Sequence, residues 1–328
     1  MNYMDACFKP DYNKAKSKSE AIFEGTNYRI TILSERLVRL EYNKDGQFFD
    51  DLTELVRNRD FDIPEFKVNQ DDKYLEITTK YFMLKYVKEK PFEGLNIEIY
   101  LLNTDKIWNV KSKEVRNFNT SGQGFILDKA DYQKGLYSVD GFVTLDDNAS
   151  MIINQDGFLT PNVENRFDKY VFMYRRDFGM CLKDYFTLTG YPPLIPRYAL
   201  GNWWNKSEIY NFMDVSNLLS KFNREDIPLA VVLLDEFWHL KDARDLDKYK
   251  TGFTFNRNLF SDPVYFTNFL HERGVKLGLN INPTEGIMPH EDAYDMIASE
   301  LGLNDKSTIP FNAFDKNILQ IYLHQLIE

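Results

Sequence analysis

The sequence predicts a β-sandwich followed by βαβ units on a parallel sheet, at most an incomplete (β/α)8 TIM barrel, and three observations predict it. Apolar residues recur at every second position from about Tyr28 to Arg175, three prolines fall within Tyr191–Arg197, and beyond them strand-like and helix-like runs alternate. Period two signals strands with one buried face. Clustered prolines stiffen a connection. Strand–helix alternation builds βαβ units on a parallel sheet. The expected domains are therefore 1–190 and 191–328.

The elements follow in order. "YRITILSERLVRLEY" puts Tyr28, Ile30 and Ile32 on one face and, after a turn at Ser34-Glu35, Val38, Leu40 and Tyr42 on another, with Arg39 and Glu41 between them. That is a hairpin. The same alternation returns in Leu75, Ile77 and Thr79, in Phe82, Leu84 and Tyr86, and in Leu95, Ile97 and Ile99. From Phe178 to Leu188 the period becomes helical and stops at Gly190, which tolerates the left-handed region after a helix end. "YALGNWW", Tyr198 to Trp204, reads as a first parallel strand, and Val215, Leu218, Leu219 and Phe222 form one face of a helix. "IPLAVVLLD" is a continuous apolar run, as expected of a strand covered on both sides. Ser261 is placed to cap a helix through Leu270 that Gly274 ends. "VKLGLNINP" is a third strand, and Asn317 to Ile327 form an amphipathic helix. A complete barrel needs about 250 residues, about twice what Arg197 to Glu328 provide, so about three βα units are expected.

Composition bounds the function. With 328 residues, 43% hydrophobic and 15% aromatic, the chain can bury a sizeable core in roughly two domains. A net charge of −10 disfavours nucleic acid, because phosphate neutralisation needs clustered Lys and Arg. Cys7 and Cys181 lack any spacing for a metal knuckle or disulfide framework, and they read as free thiols in a reducing compartment. The N-terminus lacks a basic region followed by an apolar stretch, and no run of about 18 apolar residues occurs, so no membrane segment is expected and the cytoplasm is the expected location. No Gly-rich phosphate cradle, G-x-S-x-G elbow, Cys-His pair or metal-ligand spacing appears. Oligomeric state leaves no sequence signal.

Ligands meet parallel α/β folds at the carboxyl ends of strands, where loops are free of core packing. Trp203, Trp204 and Asn205 are expected to follow the first strand, Asp235 to His239 the second, and Asn280, Asn282, Thr284 and Glu285 the third. Aromatics beside carboxylates and amides suit sugars, whose C–H faces pack on rings while their hydroxyls seek charged partners. A Trp-Trp pair also serves core packing, and a lone Asp after a strand also serves as a helix cap. Asp235 and Glu236 are neighbours, so only one faces the barrel axis. If Asp235 does, Glu236 is left to a loop cation such as Arg244. His239 titrates near neutrality when unperturbed and is a weak candidate base.

"GLYSVDGFVTLDDNAS" (Gly135 to Ser150), Tyr170 to Tyr210, "DIPLAVVLLDEFWH" (Asp226 to His239) and Thr251 to Tyr294 together resemble the retaining α-glycosidases of glycoside hydrolase family 31. The resemblance covers more than half the chain. It implies a galactose-mutarotase-like β-sandwich, then a (β/α)8 barrel with a carbohydrate substrate at its mouth, double displacement by two Asp residues, and no cofactor. Residue by residue, it implies that Asp235 binds hydroxyls of the sugar beside the cleavage point. Trp203, Trp204, Trp238, His239 and Asn282 wall that pocket. The family's nucleophilic and acid Asp residues follow a fourth strand and match nothing here, so these residues alone are expected to be inactive. Two alternatives stay open: Asp235 and Glu285 as an acid–nucleophile pair, or a non-catalytic carbohydrate-binding or interaction protein.

Overall fold

A computed structural model describes residues 10–113, 120–121, 132–133, 135–162, 166–241 and 252–326. Cys7, Arg244 and the rest of residues 242–251 lie outside the described residues. The chain divides into two compact units, Met1–Pro192 and Pro193–Glu328.

In the first unit, strands β1 (Ile22–Glu24), β2 (Tyr28–Ser34) and β3 (Leu37–Tyr42) precede β4 (Lys67–Gln70), β5 (Tyr74–Thr78), β6 (Phe82–Val87), β7 (Ile97–Leu101) and β8 (Ile107–Trp108), and β9 (Phe142–Asp146) and β10 (Phe167–Met173) follow. They form two antiparallel five-stranded sheets, ordered β1-β2-β3-β10-β9 and β4-β5-β6-β7-β8. One apolar cluster joins them: Ile30, Ile32, Val38, Leu40, Val171 and Met173 from the first sheet meet Leu75, Ile77, Leu84, Tyr86, Ile97 and Ile99 from the second. Alternation in the second sheet follows the sequence from Leu75 on, but Leu95 lies before β7 and is exposed.

The first sheet departs from the expected single buried face, since β2 and β3 are buried on both. Its outer face is covered at one end by helix α1 (Phe178–Thr189), where Leu33, Leu37, Tyr170 and Phe172 pack with Cys181 and Leu188. At the other end the cover is ionic. Arg29 forks onto Glu41 at 2.6 and 2.8 Å and reaches Asp50 at 2.8 Å, while Arg39 forks onto Asp168 at 2.9 and 2.7 Å. Arg166 also donates to Asp168, and Arg59 donates to the Tyr170 hydroxyl at 2.7 Å. Charges so placed are tolerated only when paired and hydrogen-bonded, which is why Arg39 and Glu41 are buried rather than solvated. Burial alone would raise the Asp168 carboxyl; the guanidinium groups of Arg39, Arg166 and Arg59 together outweigh it and hold that carboxyl well below the usual range. Cys181 is a buried free thiol. Gly190, at φ +91°, ends α1 in a region that favours glycine.

In the second unit, parallel strands β11 (Trp203–Lys206), β12 (Val231–Leu234) and β13 (Lys276–Leu279) lie in that order. The first starts later than the sequence suggests: Arg197–Leu200 is a 3-10 turn, and "YALGN" contributes no strand residues. Helix α2 (Phe212–Arg224) starts with a capping box between Asn211 and Asp214. Helix α3 (Pro263–His271) is capped by Asp262 rather than Ser261, because proline takes its first position and Asp262 accepts from the Tyr265 N–H at 2.9 Å. Val215, Leu219, Phe266 and Leu270 of these helices pack on Val232, Leu234, Leu277 and Leu279. Helix α4 (Tyr294–Glu300), unforeseen in the sequence, joins α5 (Lys316–Leu326) in a second cluster around Ile287, Tyr294, Ile297, Ile309 and Tyr322. Among the described residues, no helix is long and apolar enough to cross a membrane.

Candidate functional site

The three parallel strands are in strict register, Trp203↔Val231↔Lys276 through Lys206↔Leu234↔Leu279. Residues at one level therefore share a face, and levels alternate. Val232, Leu234, Leu277 and Leu279 face the helices, so the next level, Ser207, Asp235 and Asn280, faces the open side of the sheet at its carboxyl end. The ladder continues far enough to seat it, with the Asn280 N–H donating to the Leu234 carbonyl at 2.9 Å.

These three side chains touch. The Asn280 amide donates to Asp235 Oδ1 at 2.8 Å, the Glu236 N–H donates to the same oxygen at 2.9 Å, and the Ser207 hydroxyl hydrogen-bonds the carboxylate. The Asn280 bond is the main reason the Asp235 carboxyl lies below its ordinary value; burial opposes the shift, and the Glu236 and Ser207 bonds add to it. Asp235 is thus an ionised acceptor near neutral pH. A carboxylate offers about four lone-pair sites, enough to take sugar hydroxyls beside its protein donors.

The other expected residues divide. Trp203 begins β11 instead of following it, four levels before Ser207, which is about 13 Å along a strand rising about 3.3 Å per residue. It shares the open face, 46% exposed, and donates its indole N–H to the Ala199 carbonyl. Trp204 points the other way, its ring edge-on to Phe222 and its N–H on the Tyr210 hydroxyl. Neither reaches the rim, because the 3-10 turn moves the strand start toward the C-terminus. Trp238 and His239, expected as pocket walls, are only 3% and 2% exposed. Trp238 donates to the Asn280 carbonyl at 2.9 Å and packs edge-on against Phe255, so it stands behind the rim and braces it. Asn282 is exposed in a turn of its own, accepting from the Thr284 N–H and hydroxyl. Of the six, Asp235 alone stands at the rim level. Ser207 was missed in the sequence because its place depends on the register of β11.

A cleft of about 530 Å³ between α2 and α3, lined by Ser216, Leu219, Phe222, Pro228, Phe269 and Arg273, lies at the amino ends of the strands, away from Asp235. Among the described residues, no group of three His, Cys, Asp or Glu is arranged for a metal ion.

Residues 192–317 match the family model described as the glycosyl hydrolases family 31 TIM-barrel domain. Over this segment, which is less than half of the chain, the sequence is similar to the barrel domain of glycoside hydrolase family 31. Over 123 residues it is 31% identical to an α-xylosidase of Saccharolobus solfataricus, covering 37% of this chain and 16% of that one. Over 107 residues it is 35% identical to an α-xylosidase of Emericella nidulans, covering 32% and 13%. The crystal structure of the family 31 α-xylosidase from Xanthomonas citri superposes with a TM-score of 0.62 at 10% identity, covering 94% of this chain and 56% of that one. The aligned parts thus span little more than half, at most, of the relatives' length.

Proposed function

We propose that this chain carries the sugar-binding part of a retaining α-glycosidase that releases terminal α-linked sugars, with Asp235 accepting two hydroxyls of the sugar beside the cleaved bond. The observation that carries this reading is the rim itself, where a half-buried carboxylate is held ionised by Asn280, Ser207 and the Glu236 N–H. The names of the similar α-xylosidases favour an α-xyloside, with an α-glucoside as the neighbouring choice. A (β/α)8 barrel of which β11 to β13 are the first three strands fits the family match, and the paired sheets of the first unit fit the galactose-mutarotase-like sandwich.

Retention needs two carboxyl groups about 5 to 5.5 Å apart, one as nucleophile and one as acid. Asp235 is held by an amide, a hydroxyl and a backbone N–H, with no carboxyl group among them. We therefore assign it binding and expect no turnover by residues 1–328 alone. The same observation favours a second reading, a carbohydrate-binding protein without chemistry. A cytoplasmic location is consistent with the buried free thiol of Cys181.

The test is a titration of the 328-residue protein with methyl α-D-xyloside and methyl α-D-glucoside, alongside an assay with the matching 4-nitrophenyl α-glycosides. Saturable binding without nitrophenol release is expected. Absence of binding would refute the assignment of the rim, and release of nitrophenol lost in Asp235→Asn would make Asp235 catalytic.

A further inference from the structure

Glu291 lies in the loop after β13, and its side chain is fully buried. Its carboxylate accepts the Phe253 N–H at 3.3 and 3.2 Å on its two oxygens and hydrogen-bonds the hydroxyl and backbone of Thr254, while His290 Nε2 stands 3.9 Å away. The Asp292 N–H donates to the Thr254 hydroxyl at 2.9 Å. A buried carboxylate needs such donors, and these belong to a different loop, the one after β12.

That strip, residues 252–256, lies antiparallel to Trp238–Leu240. The Leu240 N–H donates to the Thr254 carbonyl at 2.7 Å, the Asn256 N–H donates to the Trp238 carbonyl at 2.9 Å, and His239 is bridged to Phe255. Contact is close enough that a Cβ on Gly252 would lie 2.1 Å from His239 Nδ1. Trp238 in turn donates to the Asn280 carbonyl, and the Asn280 amide donates to Asp235. A continuous set of hydrogen bonds thus runs from Glu291 to the rim.

We propose that Glu291 is a positioning residue for the rim: it fastens Phe253 and Thr254, which fasten Trp238 to Leu240, so that the Trp238 indole keeps Asn280 against Asp235. The effect on sugar affinity rests on the carbohydrate reading; the fastening itself does not. Glutamine at 291 retains one carbonyl acceptor for the Phe253 N–H, whereas alanine retains none.

The experiment uses the 328-residue protein labelled with 15N-tryptophan, whose four indole signals include Trp238, assigned through Trp238→Phe, and Trp108, a control in the first unit bonded to Thr144. In Glu291→Ala the Trp238 indole N–H is expected to shift and to exchange with solvent about tenfold faster, with Trp108 unchanged and with Glu291→Gln restoring most of the protection. Affinity for methyl α-D-xyloside is expected to fall about fivefold or more in the same variant. An unchanged Trp238 signal and exchange rate in Glu291→Ala would overturn the proposal. Should that variant not fold, Gly252→Ala, which lifts the strip with Glu291 intact, is expected to give the same acceleration of Trp238, and no acceleration there would overturn it equally. Failure of the wild-type protein to bind the xyloside strikes the carbohydrate reading alone, because the indole exchange still decides the fastening.

Discussion

Replacing Asp235 by asparagine removes the charge at the rim while keeping its shape, and the structure sets the size of the effect. The carboxylate accepts from Asn280, Ser207 and the Glu236 N–H. An asparagine carbonyl still accepts at Oδ1, but its amide nitrogen cannot accept where the second oxygen stood. Each sugar hydroxyl loses a charge-assisted bond, about 1.5–3 kcal/mol, for a neutral one of about 0.5–1.5 kcal/mol. For two hydroxyls the loss is about 2–3 kcal/mol, or roughly 30- to 150-fold in Kd. Asp235 is half-buried at a strand end, so stability should change little, by about 0.5 kcal/mol or less. Calorimetric or chemical-shift titration with methyl α-D-xyloside, beside a urea unfolding curve, measures both. An affinity within twofold of wild type would show that the sugar does not use this carboxylate.

Further outcomes test the surrounding structure. Ser207→Ala should weaken xyloside binding severalfold and move the Asp235 carboxyl back toward its ordinary value, read by 13C NMR titration. Asp168→Asn strips a fully buried partner from Arg39 and Arg166 and should destabilise the first unit by about 3–5 kcal/mol in urea unfolding. Because the folded Asp168 carboxyl is depressed, its contribution is complete above about pH 4 and is lost as pH falls further. The stability gap between wild type and Asp168→Asn should therefore narrow between about pH 4 and pH 2, and a gap that widens would reverse the sign. Phe266→Ala, emptying the helix–sheet core of the second unit, should cost about 3–5 kcal/mol.

What was legible in the sequence follows from what local pattern encodes. The Tyr28–Tyr42 hairpin, the Phe178–Thr189 helix and the parallel strands at Val231 and Lys276 are set by periodicity and punctuation, and the structure has them close to where the pattern puts them. The burial of Arg29, Arg39 and Glu41 was not legible, since their partners Asp50 and Asp168 come from distant segments. Likewise, "YALGNWW" has strand-like composition, yet its first half forms a 3-10 turn, and this displacement carried Trp203 and Trp204 away from the rim and brought Ser207 to it. Asp235 was found because it directly ends an apolar run. The bracing role of Trp238 was hidden because its acceptor, the Asn280 carbonyl, is set by strand register.

The most direct measurement is a crystal structure of the chain with methyl α-D-xyloside. Two hydroxyl oxygens of the pyranose should lie about 2.5–3.0 Å from the Asp235 carboxylate, on the open side of the sheet beside Asn280 and Ser207. A sugar seated in the cleft between α2 and α3, with Asp235 untouched, would contradict the account.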